Sequence, residues 1–125
     1  MIFDTDVIIW ALRGNEKAAV KIDAEYELHI SAITYMELLK GARNRPEQTA
    51  IKRFIHDLGF ELIPINANIS HRAMIYMEEY ALSSGIDLAD ALIAATATEN
   101  NTILCTTNHK HYKVIPSLEI DIFRP

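Results

Sequence analysis

The chain has 125 residues, of which 50% are hydrophobic and 23% charged, a composition typical of one globular domain spanning residues 1–125. With a net charge of −5, the protein lacks the overall positive charge that attracts nucleic acid irrespective of sequence, so any contact with RNA must be local. Cys105 is the single cysteine and cannot form an internal disulfide; we expect it in the core with Trp10 and the methionines. There is no apolar run of membrane-spanning length, and Asp4 and Asp6 stand where a signal peptide carries positive charge. These features predict a soluble protein of the cytoplasm.

The first predicted element is a short apolar strand at residues 2–3, which ends at Asp4. A helix follows, with apolar side chains at helical spacing and a stop at Gly14. A second helix is predicted over residues 16–24, and alternating apolar and polar residues predict a second strand at residues 27–30.

The next helix is predicted to begin at a capping box, Thr34-Tyr-Met-Glu37. Pro46 suits the first turn of the helix after that, which is expected to end at Gly59. Residues 60–64 then form the third predicted strand.

The second half of the chain continues the alternation of helices and strands. A long helix is predicted over residues 67–84, and the helix over residues 87–97 is so apolar beyond its first turn that it should be buried. A fourth strand at residues 102–106, a polar loop at residues 107–112 and a closing strand at residues 119–123 complete the chain. This order predicts a three-layer α/β/α sandwich around a mainly parallel sheet.

Acidic and amide side chains fall at one end of several predicted elements. Asp4 ends the first strand, Glu37 opens a helix after the second, and Asp90 lies in the first turn of the buried helix. Asn108 follows the fourth strand. Because the carboxyl ends of parallel strands meet at one edge of a sheet, these side chains can converge on one crevice. Crowded carboxylates repel one another unless a cation neutralises them, and Mg²⁺ or Mn²⁺ prefers such oxygen ligands. Two such ions about 4 Å apart can activate water for phosphodiester hydrolysis.

Helix capping is the alternative interpretation of each acid. Asp4 or Asp6 could cap the first helix, and Glu37 fits the capping box. Asp87 could be the N-cap of its helix, with Asp90 favoured by the helix dipole. Capping does not require a carboxylate at Asp90 beside such an apolar face.

Four blocks of the sequence resemble the motifs of PIN-domain ribonucleases, specifically the VapC toxins of prokaryotic toxin–antitoxin pairs. The blocks occur in the family's order and extend over nearly the whole chain. They are Ile2-Phe-Asp4-Thr-Asp6-Val-Ile-Ile, Ser31-Ala-Ile-Thr-Tyr-Met-Glu37-Leu, Leu88-Ala-Asp90-Ala-Leu-Ile-Ala-Ala-Thr-Ala and Leu104-Cys-Thr-Thr-Asn108-His-Lys-His-Tyr112.

The resemblance implies that Asp4, Glu37 and Asp90 are the catalytic, metal-binding acids of a Mg²⁺-dependent or Mn²⁺-dependent endoribonuclease. Asn108 stands where many members have a fourth Asp, so it would be an uncharged metal ligand. The family also implies a homodimer and a cognate VapB-like antitoxin that blocks the site. A negatively charged crevice would suit an antitoxin segment that presents Arg or Lys.

Three further residues are candidates for a supporting role around the metal. Asp6 stands where the family often has Asn or Ser, and Asp87 either adds to the site or only caps its helix. Thr106 matches a threonine that shapes the pocket in the family.

Basic residues are concentrated directly after the helix that carries Glu37. Lys40, Arg43 and Arg45 are the candidates for holding RNA phosphates, although a solvated helix face would show the same pattern. His109 and His111 could bind a transition metal, but histidines of a polar loop more often have no such role.

Other functions remain open from the residues alone. Asp4-Thr-Asp6 after an apolar strand also has the form of the nucleophile and acid of a haloacid-dehalogenase-like phosphatase, although the late lysine and acidic pair are poorly matched. A receiver domain would need a phosphoacceptor Asp after the third strand, where the sequence has Asn66. A catalytically inactive PIN-like scaffold is the alternative outside the enzymes.

Overall fold

The computed structural model describes all 125 residues and contains one sheet of five parallel strands in the order β3-β2-β1-β4-β5. The strands are β1 (Ile2–Phe3), β2 (His29–Ser31), β3 (Glu61–Ile63), β4 (Leu104–Thr106) and β5 (Ile120–Ile122). The helices are α1 (Thr5–Leu12), α2 (Glu16–Asp23), α3 (Ala32–Gly41), α4 (Arg45–Asp57), α5 (Ala67–Ser84), α6 (Leu88–Glu99) and α7 (His109–Tyr112). The predicted α/β sandwich with a parallel sheet is confirmed.

Side-chain alternation along the strands builds two hydrophobic cores, one on each face of the sheet. Ile2 and Leu104 belong to the core that contains the buried side chains of α5 and α6. Their chain neighbours Phe3 and Cys105 belong to the core under α1, α2, α3 and α4. The sheet is therefore covered on both faces, as a parallel sheet requires.

The carboxyl ends of the central strands bring distant parts of the chain together. In the register of β1 and β4, Phe3 lies opposite Cys105, and the backbone N–H of Asp4 donates to the Cys105 carbonyl at 2.9 Å. Asp4 and Thr106 thus leave their strands side by side, and α3 begins directly after neighbouring β2.

The predicted capping box at Thr34 and Glu37 is wrong. The helix begins three residues earlier, at the end of β2, where the Ser31 hydroxyl accepts a hydrogen bond of 3.2 Å from the Ile33 N–H. Thr34 is consequently fully buried within the helix. Glu37 lies in the second turn and does not cap the helix, so its carboxylate is available for another role.

Two other expectations about burial are wrong. Residues 107–112 do not form a polar loop throughout, since they include the single turn of α7, and Tyr112 in that turn is completely buried. Trp10 and two of the methionines lie outside the core, with Trp10 37%, Met36 50% and Met74 55% exposed. Each lies on the outward face of its helix. Cys105 is buried as expected.

No helix in the structure combines the length and apolar character that crossing a lipid bilayer demands.

Candidate active site

Asp4 is the most buried acid of the site, with 6% of its surface exposed. One carboxylate oxygen, Oδ2, accepts a hydrogen bond of 2.6 Å from the Thr106 hydroxyl, and Oδ1 accepts one of 2.9 Å from the Thr5 N–H. Burial, together with the negative charge of Asp6, raises the pKa of Asp4 to about 7. Asp4 is the N-cap of α1, so the capping interpretation is correct for this residue. Capping explains the contact of Oδ1 with the Thr5 N–H, but not the contact of Oδ2 with Thr106.

Asp6 lies beside Asp4 in the first turn of α1. Its Oδ2 accepts a hydrogen bond from the Thr107 hydroxyl, whereas Oδ1 is buried and has no hydrogen-bond partner. A buried carboxylate oxygen without a donor is costly, because it has lost its hydration without replacement. A cation bound nearby would compensate the charge of this oxygen.

Asp90 lies in the first turn of α6 and is half-buried. The Tyr112 hydroxyl donates to its Oδ1 at 3.1 Å, and His111 Nδ1 lies 3.3 Å from its Oδ2. Burial raises the pKa of Asp90, as does the negative charge of Asp87. The negative charge of Asp90 also contributes to the raised pKa of Asp4, so the two carboxylates are close enough to interact electrostatically.

Glu37 is joined to the same end of the sheet through Thr5. The Thr5 hydroxyl donates to Glu37 Oε1 at 2.7 Å and lies 3.1 Å from the Thr34 hydroxyl oxygen. Because Thr5 is the residue after Asp4, this contact ties the carboxylate of α3 to the start of α1. The sequence motifs do not single out Thr5, although its place between Asp4 and Asp6 is a signal.

Asp87 and Asn108 lie at the edge of the site. Asp87 is exposed and is the N-cap of α6, where its Oδ1 accepts a hydrogen bond of 2.9 Å from the Asp90 N–H. The Asn108 N–H donates to the Thr106 hydroxyl oxygen at 2.9 Å, and Asn108 Nδ2 lies 2.9 Å from His111 Nδ1. Asn108 and Asp90 thus lie against the same ring nitrogen of His111.

The acids are neighbours without forming a closed metal cage. No group of three or more His, Cys, Asp or Glu side chains is already arranged to hold a metal ion. Mg²⁺ usually keeps several waters and takes one or two carboxylates directly, so it needs no such cage. The hard oxygen donors and the unpartnered Asp6 Oδ1 fit Mg²⁺ or Mn²⁺.

The candidate RNA-binding residues lie next to Glu37 on the outside of the fold. Lys40, Arg43 and Arg45 are all exposed, at the end of α3 and the start of α4. Arg43 pairs with Glu47 at 3.1 Å, so part of its charge is offset, whereas Lys40 and Arg45 form no ion pair.

A groove of about 610 Å³ runs between α1, α3 and α4, and both Glu37 and Arg43 line it. Glu37 lines one part of it, Arg13 and Arg43 line others, and most of the remaining lining is apolar. The groove is therefore an amphipathic surface that leads away from the carboxylates.

Comparison with known proteins identifies the class of this fold and site. The PIN domain family matches residues 1–115. Ribonuclease VapC19 of Mycobacterium tuberculosis is 34% identical, over 94% of this chain and 96% of that protein. Among solved structures, a toxin–antitoxin complex from Klebsiella pneumoniae has a TM-score of 0.77 at 30% identity, covering 94% of this chain and 93% of that chain. VapBC-1 from nontypeable Haemophilus influenzae has a TM-score of 0.81 at 25% identity, covering 98% of each chain.

The chain belongs to the PIN-domain family and, within it, to the VapC-type ribonucleases. The family resemblance inferred from the four sequence blocks is thereby confirmed.

Proposed function

We propose that this protein is a Mg²⁺-dependent endoribonuclease that acts in the cytoplasm as the toxin of a toxin–antitoxin pair. The observation that carries the proposal is the uncompensated negative charge at the carboxyl ends of β1 and β4. Asp4, Asp6 and Asp90 share this site, yet no Lys or Arg forms an ion pair with any of them. A divalent cation would supply the missing positive charge.

The side chains divide the catalytic work between holding the cation and holding RNA. Asp4, Glu37 and Asp90 would hold Mg²⁺, with the amide oxygen of Asn108 as a neutral ligand and Asp6, Asp87 and Thr106 in support. When bound, Mg²⁺ activates a water for in-line attack on a phosphodiester and stabilises the leaving oxygen. Thr106 and Thr5 keep the acids oriented through the hydrogen bonds described above. No protein nucleophile is required.

The basic residues beside Glu37 would hold the RNA backbone. Lys40, Arg43 and Arg45 can contact phosphates on either side of the one that is cut. Their exposure beside the helix that carries Glu37, with Arg43 in the lining of the groove, supports this role, because the RNA backbone must approach the acids from the surface.

The groove between α1, α3 and α4 is where we place the VapB-like antitoxin. An antitoxin segment with apolar side chains would fill the lining formed by Ile9, Leu12 and Leu38, while an Arg or Lys would reach the acids. Removal of that basic residue from a candidate antitoxin should restore RNA cleavage, and inhibition that survives its removal would contradict this placement. The homodimer implied by the family is part of the same proposal, and sedimentation of the purified protein tests it.

Cleavage of a structured cellular RNA pool tests the proposed activity. Wild type should cut RNA in Mg²⁺ or Mn²⁺ and stop in chelator, and Asp90→Asn should be folded but inactive. Asp57→Asn is the matched control, because Asp57 is an exposed carboxylate on α4, away from the site. If folded wild type leaves RNA uncut, as Asp90→Asn does, the protein is an inactive scaffold; activity on small phosphoesters alone would favour the phosphatase alternative.

A further inference from the structure

The most informative contact outside the acids themselves is made by α7, a single turn that follows β4. Its last residue, Tyr112, is 0% exposed, and its hydroxyl donates to Asp90 Oδ1 at 3.1 Å. His111, the residue before it, lies 3.3 Å from the other oxygen, Oδ2. Both oxygens of one carboxylate are therefore contacted from the same helical turn.

Packing of the Tyr112 ring does not explain why this side chain carries a hydroxyl. The ring packs in the core shared with α5 and α6, where a phenylalanine would fill the same space without a polar atom. A buried hydroxyl is tolerated only with a hydrogen-bond partner, and its one partner here is Asp90. The contact therefore matters to Asp90 more than to the core.

We propose that Tyr112 and His111 are positioning residues that hold the Asp90 carboxylate in the orientation needed to bind the metal. This inference rests on the proposed function. The ring of Tyr112 is fixed by the core, so its hydroxyl is a rigid donor that restricts rotation of the carboxylate. Partners of this kind orient metal-binding carboxylates, and their removal typically weakens metal binding by about tenfold or more.

His111 extends the same arrangement to Asn108. Its Nδ1 also lies 2.9 Å from Asn108 Nδ2. This nitrogen accepts from the amide when it is unprotonated and donates to Asp90 when it is protonated, so it serves one of the two partners at a time. The turn of α7 thus positions two candidate metal ligands that come from different elements, α6 and the end of β4.

Tyr112→Phe tests the proposal because it removes one oxygen atom and keeps the ring. Tyr76→Phe is the matched control: Tyr76 is 5% exposed in the same core, but its hydroxyl donates to Thr98 at 3.1 Å. For each variant, Mn²⁺ binding to the protein without RNA is measured by electron paramagnetic resonance. RNA cleavage is then measured over a range of Mn²⁺ concentrations.

Tyr112→Phe is expected to weaken Mn²⁺ binding about tenfold. It should leave the KM for RNA unchanged and recover most of its kcat at high Mn²⁺. Tyr76→Phe should resemble wild type in Mn²⁺ affinity, in KM for RNA and in kcat, even if it lowers Tm by as much as Tyr112→Phe does. Equal Mn²⁺ affinity in Tyr112→Phe, Tyr76→Phe and wild type would overturn the positioning role while leaving the nuclease proposal standing. A wild type that binds no Mn²⁺ and cuts no RNA would overturn both.

A second pair of variants tests the proposal if Tyr112→Phe does not fold. His111→Ala should weaken Mn²⁺ binding, whereas His109→Ala, at an exposed position of the same turn, should not. Equal affinity in these two variants would contradict the proposal.

Discussion

Thr106 donates a hydrogen bond of 2.6 Å to Asp4, from a position 102 residues further along the chain. Asp4 follows β1 and Thr106 is the last residue of the neighbouring parallel strand β4, and both residues are buried. Thr106 in turn accepts from the Asn108 N–H, so its hydroxyl connects the end of β1 to the segment that leads into α7. This hydroxyl is therefore a central connection of the site.

Thr106→Val keeps the shape of the side chain and removes the hydroxyl. Because the hydrogen bond from Thr106 lowers the pKa of Asp4, its loss should raise that pKa further. Asp4 must be ionised to hold a cation, so the acidic limb of the pH profile of RNA cleavage should move upward by about one pH unit. Thr98→Val, which changes a hydroxyl far from the acids, is the control. An unchanged pH profile in Thr106→Val would contradict the role of this contact.

Removal of the Asp4 charge should stabilise the metal-free protein at high pH. Burial raises the folded-state pKa of Asp4 to about 7, against 3.8 as its ordinary value. Between these values the unfolded chain binds fewer protons than the folded protein, so stability falls as pH rises and the loss is complete above pH 7.

Asp4→Asn lacks this penalty. In chelator, its free energy of unfolding should exceed that of wild type at pH 8, by an amount of the order of 4 kcal/mol, and the difference should shrink toward pH 4. Urea denaturation at both pH values measures it, with Asp57→Asn as the exposed control. A difference that is independent of pH would show that Asp4 does not carry a raised pKa.

Thr5 should matter for activity because its hydroxyl is the bridge between Glu37 and the start of α1. Thr5→Val should lower kcat/KM for RNA about tenfold, and Thr5→Ser should restore most of it. Thr49→Val removes an exposed hydroxyl from α4 and should change nothing. Full activity of Thr5→Val would mean that Glu37 needs no such support.

Lys40 and Arg45 should contribute to RNA affinity and not to chemistry. Lys40→Ala or Arg45→Ala should raise the KM for RNA a few-fold with kcat unchanged. Each should also make RNA affinity less sensitive to salt, by the amount expected for the loss of about one phosphate contact. Glu47→Gln should have the opposite effect, because it frees the charge of Arg43. A change in kcat without a change in KM would place these residues in the catalytic step.

The order of the elements was enough to predict that Asp4 and Asp90 lie at one site. When parallel strands are joined by helices, their carboxyl ends lie at the same edge of the sheet. Acids that are far apart in sequence could therefore be placed together at that edge. The hydrophobic patterns of α5 and α6 were long enough to identify both helices and the stop at Gly85, which has a left-handed backbone (φ 66°).

Local sequence patterns were less informative where the same residues fitted two different structures. Thr34 and Glu37 matched a capping box, but Ser31 at the end of β2 provides a hydroxyl earlier, and the helix begins there. The single turn of α7 is too short to show helical periodicity, so the burial of Tyr112 depends on packing against α6, which a sequence pattern does not contain.

The chemical nature of the RNA ends after cleavage tests the central claim most directly. Attack by a water, with the cation held by Asp4, Glu37 and Asp90, predicts ends without a 2′,3′-cyclic phosphate, and cutting that persists when the 2′-hydroxyl at the cleavage site is replaced by hydrogen. Analysis of the products by mass spectrometry should show such hydrolytic ends in Mg²⁺ and no products in chelator. Cyclic phosphate ends, formed in chelator as well as in Mg²⁺, would contradict a metal-dependent hydrolysis at these acids.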